Sequence, residues 1–132
     1  MLGSVPLLIV PFILYNIGLA GLFGEGDPWS QVLFSVTMMS GGVWSMTLGD
    51  LMILIGLFFL FVEIMKSTRT SNASVVDHLL STFVFAAFLI EFLLVSGAAH
   101  SVFFALMMIA LVDVLAGFSV SIRAAGRDVN FR

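Results

Sequence analysis

The sequence predicts an all-α membrane protein, a bundle of four transmembrane helices with a short external β-hairpin or interfacial helix between spans 1 and 2. Three observations lead there. Hydrophobic residues make up 61% of the 132 residues and charged residues 10%, with a mean hydropathy of +1.19. A soluble domain usually carries about 25% charged residues, and so small a body has too little interior to hide the apolar surplus. Four stretches approach the roughly 20 apolar residues that a span needs. With four spans, all five cations fall on one side of the membrane.

Taken in order, the spans are expected at about 4–23, 48–65, 75–95 and 101–122, all in one domain covering 1–132. The first has Gly18 and Ala20 in a pattern resembling a leader cleavage site, but no Lys or Arg precedes its long apolar run. It is read as a retained span. Thr47-Leu48-Gly49-Asp50 and Ser74-Val75-Val76-Asp77 have capping-box spacing and open the second and third helices. Lys66 and Arg69 lie between the second and third spans, and Arg123, Arg127 and Arg132 follow the fourth. Glu25 and Asp27 sit in the first outer loop, which has no cation. The positive-inside rule then places both termini in the cytoplasm of a bacterial-type inner membrane.

Residues 29–47 form the external element. A β-branched and aromatic run over 31–37, a Ser40-Gly41-Gly42 turn and a second run over 43–47 favour a hairpin. The rival is an interfacial helix using Val32, Leu33, Val36 and Met39. Trp29 and Trp44 suit the membrane interface in either case.

Counting along helices at about 1.5 Å per residue sorts the polar groups by depth. Glu63, Lys66, Asp77, His78 and Arg123 form an inner layer, expected to be a solvated edge with Glu63 and Lys66 paired three residues apart. Asp113 and Asn16 fall in a middle layer, at roughly 15 and 18 Å, and are expected to meet across the bundle. Asp113 shares a helix face with Leu106, Ala110, Gly117 and Ser121. Three of these four are small, which lets helices approach, so this carboxylate is expected against protein, as a proton-binding group or as a hydrogen-bonded lock. Asp50, Glu91 and His100 form an outer layer, with His100 a candidate outer-face ligand. Two carboxylates and an imidazole suit a divalent ion, but three residues on three helices have no motif spacing, and no metal is assigned.

Function classes narrow by subtraction. The chain has no cysteine, which removes thiolate chemistry. A net charge of −3 disfavours nucleic acid. No HExxH, P-loop, GxSxG or CxxCH motif occurs. His78 and His100 lie on opposite sides of the predicted membrane. No catalytic residue and no cofactor is expected.

The runs Trp44-Ser45-Met46-Thr47-Leu48-Gly49-Asp50, Glu63-Ile64-Met65-Lys66, Asp77-His78, Glu91-Phe92-Leu93 and Asp113-Val114-Leu115-Ala116-Gly117-Phe118 resemble a set found in small uncharacterised four-span inner-membrane proteins of Gram-negative bacteria. The resemblance implies the four-span fold and no activity, so it transfers no functional residue. The expected function is non-enzymatic: an accessory or organising subunit, partnered by lipid and by other membrane subunits or copies of itself. Gly18, Gly21, Gly56 and Gly117 are its expected close-contact residues. The alternative is a small proton or cation channel or transporter using Asp113, Glu91 and Asp50.

Overall fold

The computed structural model describes residues 5–24, 26–67 and 72–130, and no side chain at 67, 72–74 or 120–130. Glu25, Arg69 and Arg132, and the side chains of Ser74, Ser121, Arg123 and Arg127, lie outside the described residues. Four α-helices and one hairpin follow in the order α1 (Ile9–Leu19), β1 (Val32–Thr37), β2 (Val43–Thr47), α2 (Leu48–Ser67), α3 (Asn72–Leu94) and α4 (Ser101–Asn130). Single 3-10 turns, Pro28–Ser30 and Ser96–Ala98, precede β1 and α4.

Three helices are long and apolar enough to cross a membrane: Leu48–Lys66, Val75–Leu94 and Ser101–Ser119. Their outward faces carry large apolar side chains that water would not tolerate in such number. Phe58 and Phe61 on α2 are each 63% exposed, and Phe83 on α3 is 69% exposed. Lipid is the solvent that suits this surface.

The first apolar stretch departs from a single 20-residue helix. Its regular part, α1, has 11 residues, about 16 Å at helical rise. Gly21 ends it. With φ at +90°, Gly21 supplies the left-handed residue of a Schellman stop. Its N–H donates to the Gly18 carbonyl at 3.1 Å, and the Leu22 N–H donates to Ile17 at 3.4 Å. Nothing lies within 4 Å of where a Gly21 Cβ would stand. Gly21 is therefore a helix terminator, and makes no close helix contact among the described residues.

The hairpin is present. β1 and β2 pair antiparallel, with Ser35 opposite Ser45, Val36 opposite Trp44 and a bulge between Val32 and Phe34. Gly41, at φ +90°, makes the turn, closed by the Met38 N–H on the Gly42 carbonyl at 2.7 Å. Alternation gives the ribbon two faces. Phe34, Val36, Trp44 and Met46 share one, with the Phe34 and Trp44 rings 5.5 Å apart. Ser35 and Ser45 share the other, their hydroxyls 2.6 Å apart. β2 runs directly into α2 through the predicted capping box. The Asp50 N–H donates to Thr47 Oγ1 and the Thr47 N–H donates to Asp50 Oδ2, both at 3.1 Å. The second predicted box does not form that helix start: α3 begins at Asn72, so Ser74 is inside the helix.

α4 is the central helix, and half of its apolar window is buried against 22% in α2 and in α3. It is flanked by α2 and α3. A Cβ on Gly49 would lie 2.7 Å from Val102, and one on Gly56 would lie 2.8 Å from Leu106 and 3.1 Å from Ile109. Contacts that advance together along both chains mean that α2 and α4 run parallel. Four elements converge on the core above them. Phe103 of α4 is fully buried, its ring 4.8 Å from Tyr15 and 5.2 Å from Phe88. Trp29 is 3% exposed and stacks on Tyr15 at 4.7 Å and 9°. Trp29 is thus turned into the bundle: its loop folds back and caps it, filling space that Gly18 and Gly49 leave open. Trp44 stays exposed.

Candidate functional site

The densest polar cluster lies where α2 ends. Lys66 Nζ donates to the Val5 carbonyl at 2.7 Å, to Glu63 Oε1 at 3.0 Å and to Asp77 Oδ1 at 3.1 Å. An ammonium has three donors, and these three acceptors use all of them. Glu63 Oε1 also takes the Leu7 N–H at 2.6 Å. Helix α1 begins after this segment, so residues 5–7 have backbone groups free of the helical ladder. Glu63 and Lys66 satisfy two of them. The pairing of Glu63 with Lys66 is as expected, but the solvated edge is not. Glu63 is 1% and Asp77 4% exposed.

Asp113 lies next to this cluster and is 5% exposed. The charges that act on it are those of Glu63 and Lys66, and buried Ser81 on α3 is its hydrogen-bonding neighbour. Its Oδ2 has no hydrogen-bond partner among the described residues. The predicted face is internal: Leu106, Ala110 and Gly117 are buried with Asp113. At Gly117 the His78 ring occupies the space of the missing side chain, 2.2 Å from where a Cβ would stand. His78 meets Phe118 edge-on at 4.5 Å, and its Nε2 is buried without a partner among the described residues.

Asn16 does not meet Asp113. Its amide donates to the Phe12 carbonyl at 2.9 Å, and its side-chain neighbour across the helices is Glu91. Glu91 Oε2 is buried and has no partner among the described residues. Between these two polar groups stand the rings of Phe12, Phe88 and Phe103, in edge-to-face contact. They form an aromatic partition between the Asp113 and Glu91 levels.

The outer layer does not converge. Asp50 is occupied by its cap. His100 Nε2 faces both oxygens of Asp27 at 3.2 Å, while Nδ1 accepts the Val102 N–H at 3.1 Å. With Nδ1 accepting, Nε2 carries the proton and donates to Asp27. His100 is thus the N-cap of α4 and a latch to the Asp27 loop. Among the described residues no group of three such side chains is placed to hold a metal ion.

Sequence reasoning missed Asp27, Ser81 and Tyr15. Asp27-Pro28 carries a readable signal, a cap residue followed by proline at the first helical position, and Asp27 does accept the Trp29 N–H at 3.2 Å. Tyr15 donates to the Gly97 carbonyl at 2.9 Å across 82 residues, and no local pattern announces that. No protein-family model, curated protein or solved structure matches the chain.

Proposed function

We propose that the chain is a non-enzymatic, four-span protein of a bacterial inner membrane that serves as an accessory or organising subunit. The observation that carries the subunit reading is the hairpin. All six residues of β1 are exposed, its apolar face is uncovered, and a free two-stranded ribbon is marginal in water. Internal contacts use up the other recognition features. Gly18, Gly56 and Gly117 are filled by Trp29, Leu106 and His78, so association through those glycines is not part of the proposal. After gentle detergent extraction the protein is expected in an assembly larger than one chain. Replacing both Phe34 and Trp44 by Ser should release a folded monomer. A wild-type preparation that is monomeric, with no stoichiometric companion, overturns the subunit reading.

Four spans and a cytoplasmic N and C terminus draw support from the ends of the bundle. Val5 and Leu7 sit at Lys66, whereas Tyr15 reaches Gly97 and a Gly97 Cβ would meet Leu19. The first segment therefore runs between both ends of the bundle although its helix is short. Parallel α2 and α4 deliver Lys66 and the C-terminal end of α4 to the same side. The cysteine-free chain suits a labelling test. In intact spheroplasts, Ser40→Cys should react with an impermeant maleimide, and Ser67→Cys only after lysis. The reverse pattern inverts the topology.

A second reading, a proton or cation pathway, is favoured by two carboxylate oxygens, of Asp113 and Glu91, that are buried without a partner among the described residues. The phenylalanine partition argues against a continuous path in one chain in this conformation. Flux across liposomes under a gradient, lost in Asp113→Asn, is its test.

A further inference from the structure

Three carboxylates, Glu63, Asp77 and Asp113, lie buried around one ammonium, Lys66. If all were ionised, this group of described side chains would hold two uncompensated negative charges away from water, which costs several kcal/mol per ion. Something positive must join it. The donors are unequally shared. Glu63 takes an amide N–H and the ammonium, and Asp77 takes the ammonium. Among the described residues the hydrogen-bonding neighbour of Asp113 is the Ser81 hydroxyl, and its Oδ2 is without a partner. Hydrogen bonds to a carboxylate, and a cation in contact with it, favour the ionised form, so the carboxyl that the ammonium does not hydrogen-bond is the one that keeps a proton.

We propose that Asp113 is an exchangeable proton-binding site in the interior of the bundle, set beside Glu63 and screened from lipid by α2, α3 and α4. A proton is favoured over a metal cation because it needs no shell of several oxygens, and the cluster shows no such shell among the described residues. Among the described residues the surrounding ionisable groups are Glu63 and Lys66 from α2 and Asp77 and His78 from α3, while the segment before α1 contributes backbone, through Val5 and Leu7. Lys66 joins this site to the N-terminal segment, so the proton sits one residue away from the contacts that strap residues 5–7 to the bundle. The site stands whether or not the chain works in an assembly.

The test is infrared spectroscopy of the full chain in lipid nanodiscs at neutral pH. Wild-type protein is expected to show a protonated-carboxyl carbonyl component from Asp113, distinct from that of Glu91, whose Oε2 is also buried without a partner among the described residues, and shifting in D2O as an exchangeable proton requires. Asp113→Asn should remove it. Asp113→Glu, which keeps the carboxyl should the amide variant fail to fold, should move the band without abolishing it. Glu91→Gln and Asp50→Asn should leave it in place. Absence of the band in wild type, its persistence in Asp113→Asn, or its loss in Glu91→Gln overturns the proposal.

Discussion

Lys66→Met is expected to destabilise the bundle by about 3–5 kcal/mol, the usual cost of removing one partner from a buried ion pair. The size follows from what is left behind. Lys66 is 10% exposed at its side chain and holds two carboxylates exposed by 1% and 6%, so its loss strands both away from water. It also frees the Val5 carbonyl, releasing the N-terminal segment from α2. Lys66→Arg should not rescue, because a planar fork cannot reproduce three diverging ammonium bonds. The triple change Lys66→Met, Glu63→Gln, Asp77→Asn should recover most of the loss, since replacing all partners of a buried pair is often near neutral. Unfolding in mixed micelles by titration with a denaturing detergent reads all three. A Lys66→Met protein as stable as wild type would mean that the cluster is hydrated and contributes little.

What the sequence displayed was local. The hairpin was legible because β-branched runs, a Gly-Gly turn and a hydroxyl–acid cap all sit within 20 residues of one another. The inner face of α4 was legible because Leu106, Ala110, Asp113 and Gly117 recur at helical spacing. The contacts that failed to show were distant ones. Glu63 reads as a solvated acid until Leu7 arrives from 56 residues away. Trp29 reads as an interfacial anchor until Tyr15 stacks beneath it. Asn16 was matched to Asp113 by depth, but depth does not say which way a side chain faces around a helix axis.

Membrane solvent hides a second kind of information. In water, the buried stripe of a helix stands out against a polar face. In α2 both faces are apolar, so hydropathy does not mark the inner one. The mark is residue size. Gly49, Gly56 and Glu63 recur every seven residues; the two glycines meet α4 and Glu63 faces Asp113, while Leu54, Phe58 and Phe61 point outward. The heptad was readable once small and polar residues, not apolar ones, were taken as the signal. Glu63 continues the line set by Gly49 and Gly56, which is how the α2–α4 seam brings it beside Asp113.

That seam makes the second large prediction. Gly49→Ala is expected to cost roughly 1–3 kcal/mol, and Gly49→Leu more, as overpacking of a closed site does. The added Cβ would stand 2.7 Å from Val102 Cγ2, 3.0 Å from the Trp29 carbonyl oxygen and 3.3 Å from Trp29 Cβ. Val102 can turn a methyl away, but the Trp29 backbone has little freedom. Its N–H is held by Asp27, its ring lies on Tyr15, and Gln31, two residues on, accepts the Leu48 N–H at 2.8 Å. Gly56→Ala should cost less, although its clashes are of similar depth, because only the side-chain ends of Leu106 and Ile109 must yield. In a Trp44→Phe background, Trp29 is the sole indole, and its fluorescence reports the cap directly. Gly49→Ala should shift that emission to the red as the ring leaves Tyr15 and meets water, and Gly56→Ala should not. Equal shifts in the two variants would show that α2 and α4 separate as rigid bodies, with the Trp29 cap following passively; no shift in either would show that the outer end of the bundle is loose enough to absorb a methyl group.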